Sequence, residues 1–204
     1  MRVIQAQSAG FCYGVERAVR MAEEAAAAGG CVMLGSIIHN DSVVRRLEAL
    51  GARQVQSAEE VQPGETVLIR AHGEPVETYR TLEARGARVL DATCPHVLRI
   101  HRLVERAEQE GRTPLIIGED HHPEVIAAAS RSSRSVVLGN AEELAEWLAA
   151  VPARRTERLL AVAQTTCIRS IWEKCVNFLK KECTNAEIFD TICDATQKRQ
   201  SEAA

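Results

Sequence analysis

Seven cysteines and six histidines are the side chains of this 204-residue sequence best suited to hold a metal or move a proton. The cysteines are Cys12, Cys31, Cys94, Cys167, Cys175, Cys183 and Cys193. Their number is odd and no two form a C-x-x-C pair, so neither a disulfide framework nor a zinc ribbon is expected. A single cysteine is by default a small buried hydrophobe. Cys12, Cys94 and Cys193 stand apart, because each follows a strand-like apolar run and lies at or near the start of a helical pattern. A helix start offers unpaired N–H groups and the positive end of the helix dipole. Both favour the thiolate, the form that binds iron. In Thr93-Cys94-Pro95 the threonine is expected to cap the helix and the proline to occupy its first turn.

The histidines divide in the same way. His96 and His101 fall inside a helical pattern and read as ordinary surface or core residues, and His121 reads as a loop residue. His39, His72 and His122 each end an apolar run and precede a helix, where an imidazole can donate to an anion beside the helix's own N–H groups. Glu124 follows His122 across Pro123. It reads either as a general acid whose pKa burial raises or as a first-turn glutamate stabilising a helix dipole. Thr165 and Thr166 read equally as site residues or as helix caps.

Short β-like runs alternating with helical patterns must position these residues. CVMLGSII precedes SVVRRLEALG, ETVLIRA precedes EPVETYRTLEARG, and TPLIIG precedes PEVIAAAS. Such alternation predicts an α/β fold of two repeated lobes, with mainly parallel sheets flanked by helices and the start of a third lobe at the C-terminus. The expected lobes are residues 1–92 and 93–186, with 187–204 opening the third and residues 1–12 open to assignment with it. In parallel sheets ligands bind beyond the carboxyl ends of the strands, which is where the cysteines and histidines above are expected. A net charge of −3 argues against non-specific binding to nucleic acid or an anionic membrane. No apolar run approaches the roughly 18–20 residues of a membrane span. With no secretory signal pattern in MRVIQAQ, a cytoplasmic protein is expected.

The segments GFCYGVERA, IIHND, AHGEP, DATCPHV, HHPEV, QTT and TICDATQKRQ resemble, in order and approximate spacing, the 4-hydroxy-3-methylbut-2-enyl diphosphate reductase family. The resemblance runs from residue 1 to about residue 202. It implies three α/β lobes around a [4Fe–4S] cluster held by Cys12, Cys94 and Cys193, with one iron left open to the substrate hydroxyl. It implies that His39, His72 and His122 hold the diphosphate or nearby oxygens, that Glu124 supplies or relays a proton, and that Thr165 positions the hydroxyl. The implied reaction is reductive dehydroxylation to isopentenyl and dimethylallyl diphosphates, the last step of the methylerythritol phosphate route, with electrons from a ferredoxin or flavodoxin type carrier. Cys31, Cys167, Cys175 and Cys183 match no ligand and read as structural. The family continues beyond its third cysteine into a lobe with a Ser-x-Asn stretch and a later serine, whereas this chain ends eleven residues after Cys193. The expectation is therefore a truncated, impaired reductase. The alternative is a non-catalytic iron–sulfur or metal-binding module derived from that enzyme.

Overall fold

The structure is a computed structural model that describes residues 6–38 and 40–203. His39 lies outside the described residues. The chain divides into two compact units. One is Phe11–Leu98, and the other is Arg99–Ala204 with the described residues before Phe11.

The first unit is built from α1 (Tyr13–Ala27), β1 (Cys31–Leu34), α2 (Asp41–Ala49), β2 (Ala52–Val55), β3 (Thr66–Ile69), α3 (Val76–Ala84) and β4 (Arg88–Asp91). Its four strands form one parallel sheet in the order β2-β1-β3-β4. Both faces of the sheet are covered. Cys31 and Met33 pack with Ala18, Ala22 and Leu47 from α1 and α2, while Val32 and Leu34 pack with Leu82 of α3 on the other side. A strand buried on both faces reads as a continuous apolar run, as CVML does. β2 was not among the expected strands. Its ARQV sequence puts Arg53 and Gln54 between two buried apolar residues on a sheet edge, so it shows neither a continuous run nor an alternation.

The second unit repeats this plan. α4 (Pro95–Gln109), across which the division between the units falls, leads to β5 (Thr113–Ile117), α5 (Pro123–Ala129), β6 (Val136–Leu138), α6 (Ala141–Ala150), β7 (Leu159–Ala163), α7 (Arg169–Glu182), β8 (Ala186–Phe189) and α8 (Asp194–Ala203). The sheet order is β6-β5-β7-β8, again all parallel and identical in pattern to the first. Leu115, Ile117, Leu159 and Ala161 face Leu144, Trp172 and Leu179, while Ile116, Leu160 and Val162 face Ile100, Val104 and Val125. The strand expected to open a third lobe at residue 187 is β8, which pairs with β7 from Leu159↔Ala186 to Val162↔Phe189. The boundary expected there is thus replaced by the fourth strand of the second sheet: EIFD supplies the edge that the repeat needs. Among the described residues no helix is long and apolar enough to cross a membrane.

Candidate functional site

In each sheet the strand order reverses between two central strands, β1/β3 in the first unit and β5/β7 in the second. The crevice beyond the carboxyl ends at such a reversal is the usual ligand position in open α/β sheets. His72 follows β3, Glu119–Glu124 follow β5, and Gln164–Thr166 follow β7.

The three singled-out cysteines hold one structural address. Each is the residue immediately before a helix: Cys12 before α1, Cys94 before α4 and Cys193 before α8. Their carbonyls accept the first helical bonds, from Glu16, Leu98 and Gln197 respectively, at 2.9, 2.9 and 3.0 Å. Thr93 does not cap α4 as expected, because the helix starts at Pro95 and its hydroxyl turns instead to Asp91 Oδ1.

Cys94 and Cys193 are repeats of one another in hydrogen-bond detail. The Cys94 N–H donates to the Ala71 carbonyl beyond β3 at 2.9 Å, and the Cys193 N–H donates to the Thr165 carbonyl beyond β7 at 3.0 Å. Before each cysteine an aspartate makes the same turn: Asp91 Oδ1 accepts from Thr93 N at 2.8 Å, and Asp190 Oδ1 accepts from Ile192 N at 3.2 Å. An aspartate bonding the backbone two residues on is a standard way to reverse a strand into a helix. The sequence carried this signal in its repeated D-x-x-C, which was not used. Cys193 Sγ also accepts the Thr196 N–H at 3.4 Å, capping α8 with sulfur.

Cys94 sits against the helix that Cys12 begins. A Cβ on Gly14 would lie 2.6 Å from Cys94 Sγ and 3.1 Å from its Cβ, so only glycine fits there. Arg17, one turn further along α1, donates to the carbonyls of Thr93 at 3.2 Å and Asp91 at 3.4 Å. Neither Gly14 nor Arg17 was singled out from sequence. The other four cysteines differ in kind. Burial pushes the Cys31 and Cys183 thiols up, and those of Cys167 and Cys175 to about 11, so all four stay protonated at neutral pH. Among the described residues no disulfide joins any of the seven cysteines. No three His, Cys, Asp or Glu side chains among the described residues are grouped as a metal site; Cys12 and Cys94 belong to one unit and Cys193 to the other.

In the second unit Glu124 lies in the first turn of α5, yet it is 2% exposed, so it is a buried acid rather than a surface partner for the helix dipole. Thr165 holds both its oxygens: the Thr165 N–H donates to Oε1 and the hydroxyl to Oε2, each at 2.6 Å. Desolvation raises the carboxyl's pKa, and the two Thr165 bonds offset only part of that rise. Neither Thr165 nor Thr166 caps α7, whose cap position is Ile168. His122 caps α5 by accepting the Glu124 N–H on Nδ1 at 3.1 Å. That bond requires an unprotonated Nδ1, so the ring proton of the neutral imidazole is on Nε2.

Gln164 was missed as an individual residue. Its Oε1 accepts the Glu119 N–H at 3.0 Å and its Nε2 donates to the Thr166 hydroxyl at 2.8 Å, tying the loops after β5 and β7 together. Gly118 makes this possible, since a Cβ there would meet Gln164 at 2.8 Å. A cavity of about 300 Å³ opens beside them, lined in part by Glu119, Thr166 and Cys167. In the first unit Arg70 and Glu74 pair at 2.7 Å, with burial raising the glutamate's pKa against the pull of the arginine.

The sequence pattern of the family described as LytB protein matches residues 3–204. A 4-hydroxy-3-methylbut-2-enyl diphosphate reductase of Caldanaerobacter subterraneus is 36% identical over 208 residues, covering 100% of this chain and 70% of the relative. One of Aquifex aeolicus is 38% identical, covering 97% of this chain and 68% of the relative. A solved structure of (E)-4-hydroxy-3-methyl-but-2-enyl diphosphate reductase superposes with a TM-score of 0.82 at 37% identity, over 98% of this chain and 71% of its own. A second, the E-1-hydroxy-2-methyl-but-2-enyl-4-diphosphate reductase of Plasmodium falciparum, gives 0.86 at 27% identity, over 94% and 61%. Matched by the family pattern over residues 3–204 and by relatives over nearly its whole length, this chain belongs to the LytB protein family.

Proposed function

We propose that the chain acts in the reduction of 4-hydroxy-3-methylbut-2-enyl diphosphate, with Glu124 as the proton source and Cys12, Cys94 and Cys193 as ligands of a [4Fe–4S] cluster. The donor set fits such a group: three cysteines, each immediately before a helix of ten residues or more. The space kept by Gly14 beside Cys94 Sγ adds a second fit. When bound, the cluster supplies electrons and a Lewis-acidic iron for the substrate oxygen.

The reaction breaks the allylic C–O bond. The hydroxyl takes one proton and leaves as water, while two electrons and a second proton complete a new C–H bond. An electron carrier of the ferredoxin or flavodoxin type supplies the two electrons. Hydroxide is a poor leaving group, so the first proton must come from a nearby acid. Glu124 carries the reading, because burial raises its pKa and its Oε2 is bonded to the Thr165 hydroxyl at 2.6 Å. That hydroxyl can accept the carboxyl proton on one side and donate its own on the other, a one-residue relay. His122, its ring proton on Nε2, can donate to a diphosphate oxygen, and His72, after β3, and His39 take the same role.

The test is anaerobic turnover of the substrate with a chemical reductant. Glu124→Gln is expected to keep the cluster spectrum and lose activity by about 10²–10⁴-fold, the usual worth of a positioned acid. Thr165→Val should show a comparable loss. Unchanged turnover in Glu124→Gln would contradict the assignment.

A further inference from the structure

We propose that Arg17 is a positioning residue that sets the spacing between the Cys12 and Cys94 thiols before any cluster binds; the role in cluster binding rests on the reading above. Two groups that must share one metal centre need a fixed separation, and the first unit contains a device for it. Cys12 is the cap of α1, so its place follows that helix. Cys94 closes the loop after β4, so its place follows Asp91–Thr93. Arg17 joins the two, with Nη1 donating to the Thr93 carbonyl and Nη2 to the Asp91 carbonyl.

The loop end of this clamp is itself rigid. Thr93 is fully buried, its N–H and hydroxyl are both held by Asp91 Oδ1, and Asp91 Oδ2 accepts from the Tyr79 hydroxyl at 3.1 Å. Gly14 lets α1 come into contact with Cys94 Sγ, and Arg17 keeps it there. A guanidinium suits the task because its planar fork reaches two carbonyls at once, which the single ammonium of lysine cannot do in the same geometry.

The experiment compares Arg17→Ala and Arg17→Lys with Arg53→Ala. Arg53 pairs with Glu65 by two bonds at the opposite, amino end of the same sheet, so it controls for lost hydrogen bonds in this unit. In the apoprotein, a short bismaleimide should link Cys12 to Cys94 in the parent and in Arg53→Ala, and link them more slowly in both Arg17 variants, as read by peptide mass spectrometry. After anaerobic reconstitution, iron should leave to a chelator about fivefold faster or more in Arg17→Ala, since one lost hydrogen bond alone has about that effect and two are lost, and nearly as fast in Arg17→Lys. Equal linking in all four proteins would overturn the proposal. So would a lysine variant that behaves like the parent, since charge rather than the fork would then be the cause. Arg17-dependent linking in a chain that takes up no iron would leave the clamp standing and refute the cluster assignment instead.

Discussion

Gly14→Ala probes the contact between α1 and Cys94 with a single methyl group. In an ordinary helix the change is favourable by up to about 1 kcal/mol, because alanine is the best helix former and glycine among the poorest. Here the new Cβ would lie 2.6 Å from Cys94 Sγ. Favourable separations begin near 3.5 Å, so the overlap is about 1 Å. Rotating the thiol away does not clear it, since Cys94 Cβ is itself only 3.1 Å from the new atom. Overpacking of this kind costs about 1–3 kcal/mol, which outweighs the helix gain. We expect net destabilisation of about 1 kcal/mol, a fall of roughly 2–4 °C in Tm for a chain of this size. Thermal unfolding of the metal-free chain by circular dichroism reads the stability. Iron uptake on reconstitution reads the thiol's displacement and should fall as well. A variant with raised Tm and parental iron uptake would refute the packing argument.

Glu124→Gln should also alter the pH dependence of stability. A carboxyl whose folded pKa is raised binds its proton more tightly folded than unfolded, so its contribution is present below the ordinary glutamate range and is lost as pH rises from there to the folded value. Urea unfolding at pH 4, 6 and 8 should therefore show the glutamine variant gaining on the parent with rising pH; a parent that gains on the variant contradicts the burial argument. Gly118→Ala should be destabilising by about 1–3 kcal/mol, because the added Cβ would meet Gln164 at 2.8 Å and Val125 at 3.0 Å. Chemical denaturation measures it, and a neutral result would show that the loop after β7 yields freely.

The seven motifs made the family legible because most of them directly follow a strand of one of the two sheets, where sequence order and spatial role coincide. Alternation of apolar runs with helical patterns gave most elements for the same reason. β2 escaped because an edge strand with Arg53 and Gln54 at its centre has no strand pattern. The placement of β8 escaped because pairing with β7 is a long-range choice that EIFD alone does not encode. Thr93 looked like a cap by type, but the bond from its hydroxyl to Asp91 is a local competitor that spacing does not reveal. Gly14 and Arg17 could not be found from the chain alone, since their meaning depends on a loop nearly eighty positions away. Glu124 was legible as a residue and ambiguous as a role; its burial and the two Thr165 bonds are what support the proposed acid over a surface dipole partner.

Iron content after anaerobic reconstitution, with the chain compared against its cysteine variants, tests the central assignment most directly. About four iron per parent chain are expected, with a loss of stable iron in Cys12→Ser, Cys94→Ser and Cys193→Ser alike. Parental iron is expected in Cys31→Ala, Cys167→Ala, Cys175→Ala and Cys183→Ala, whose thiols burial holds protonated. Parental iron in any of the three serine variants, or its loss in a variant of the other four cysteines, would overturn the assignment.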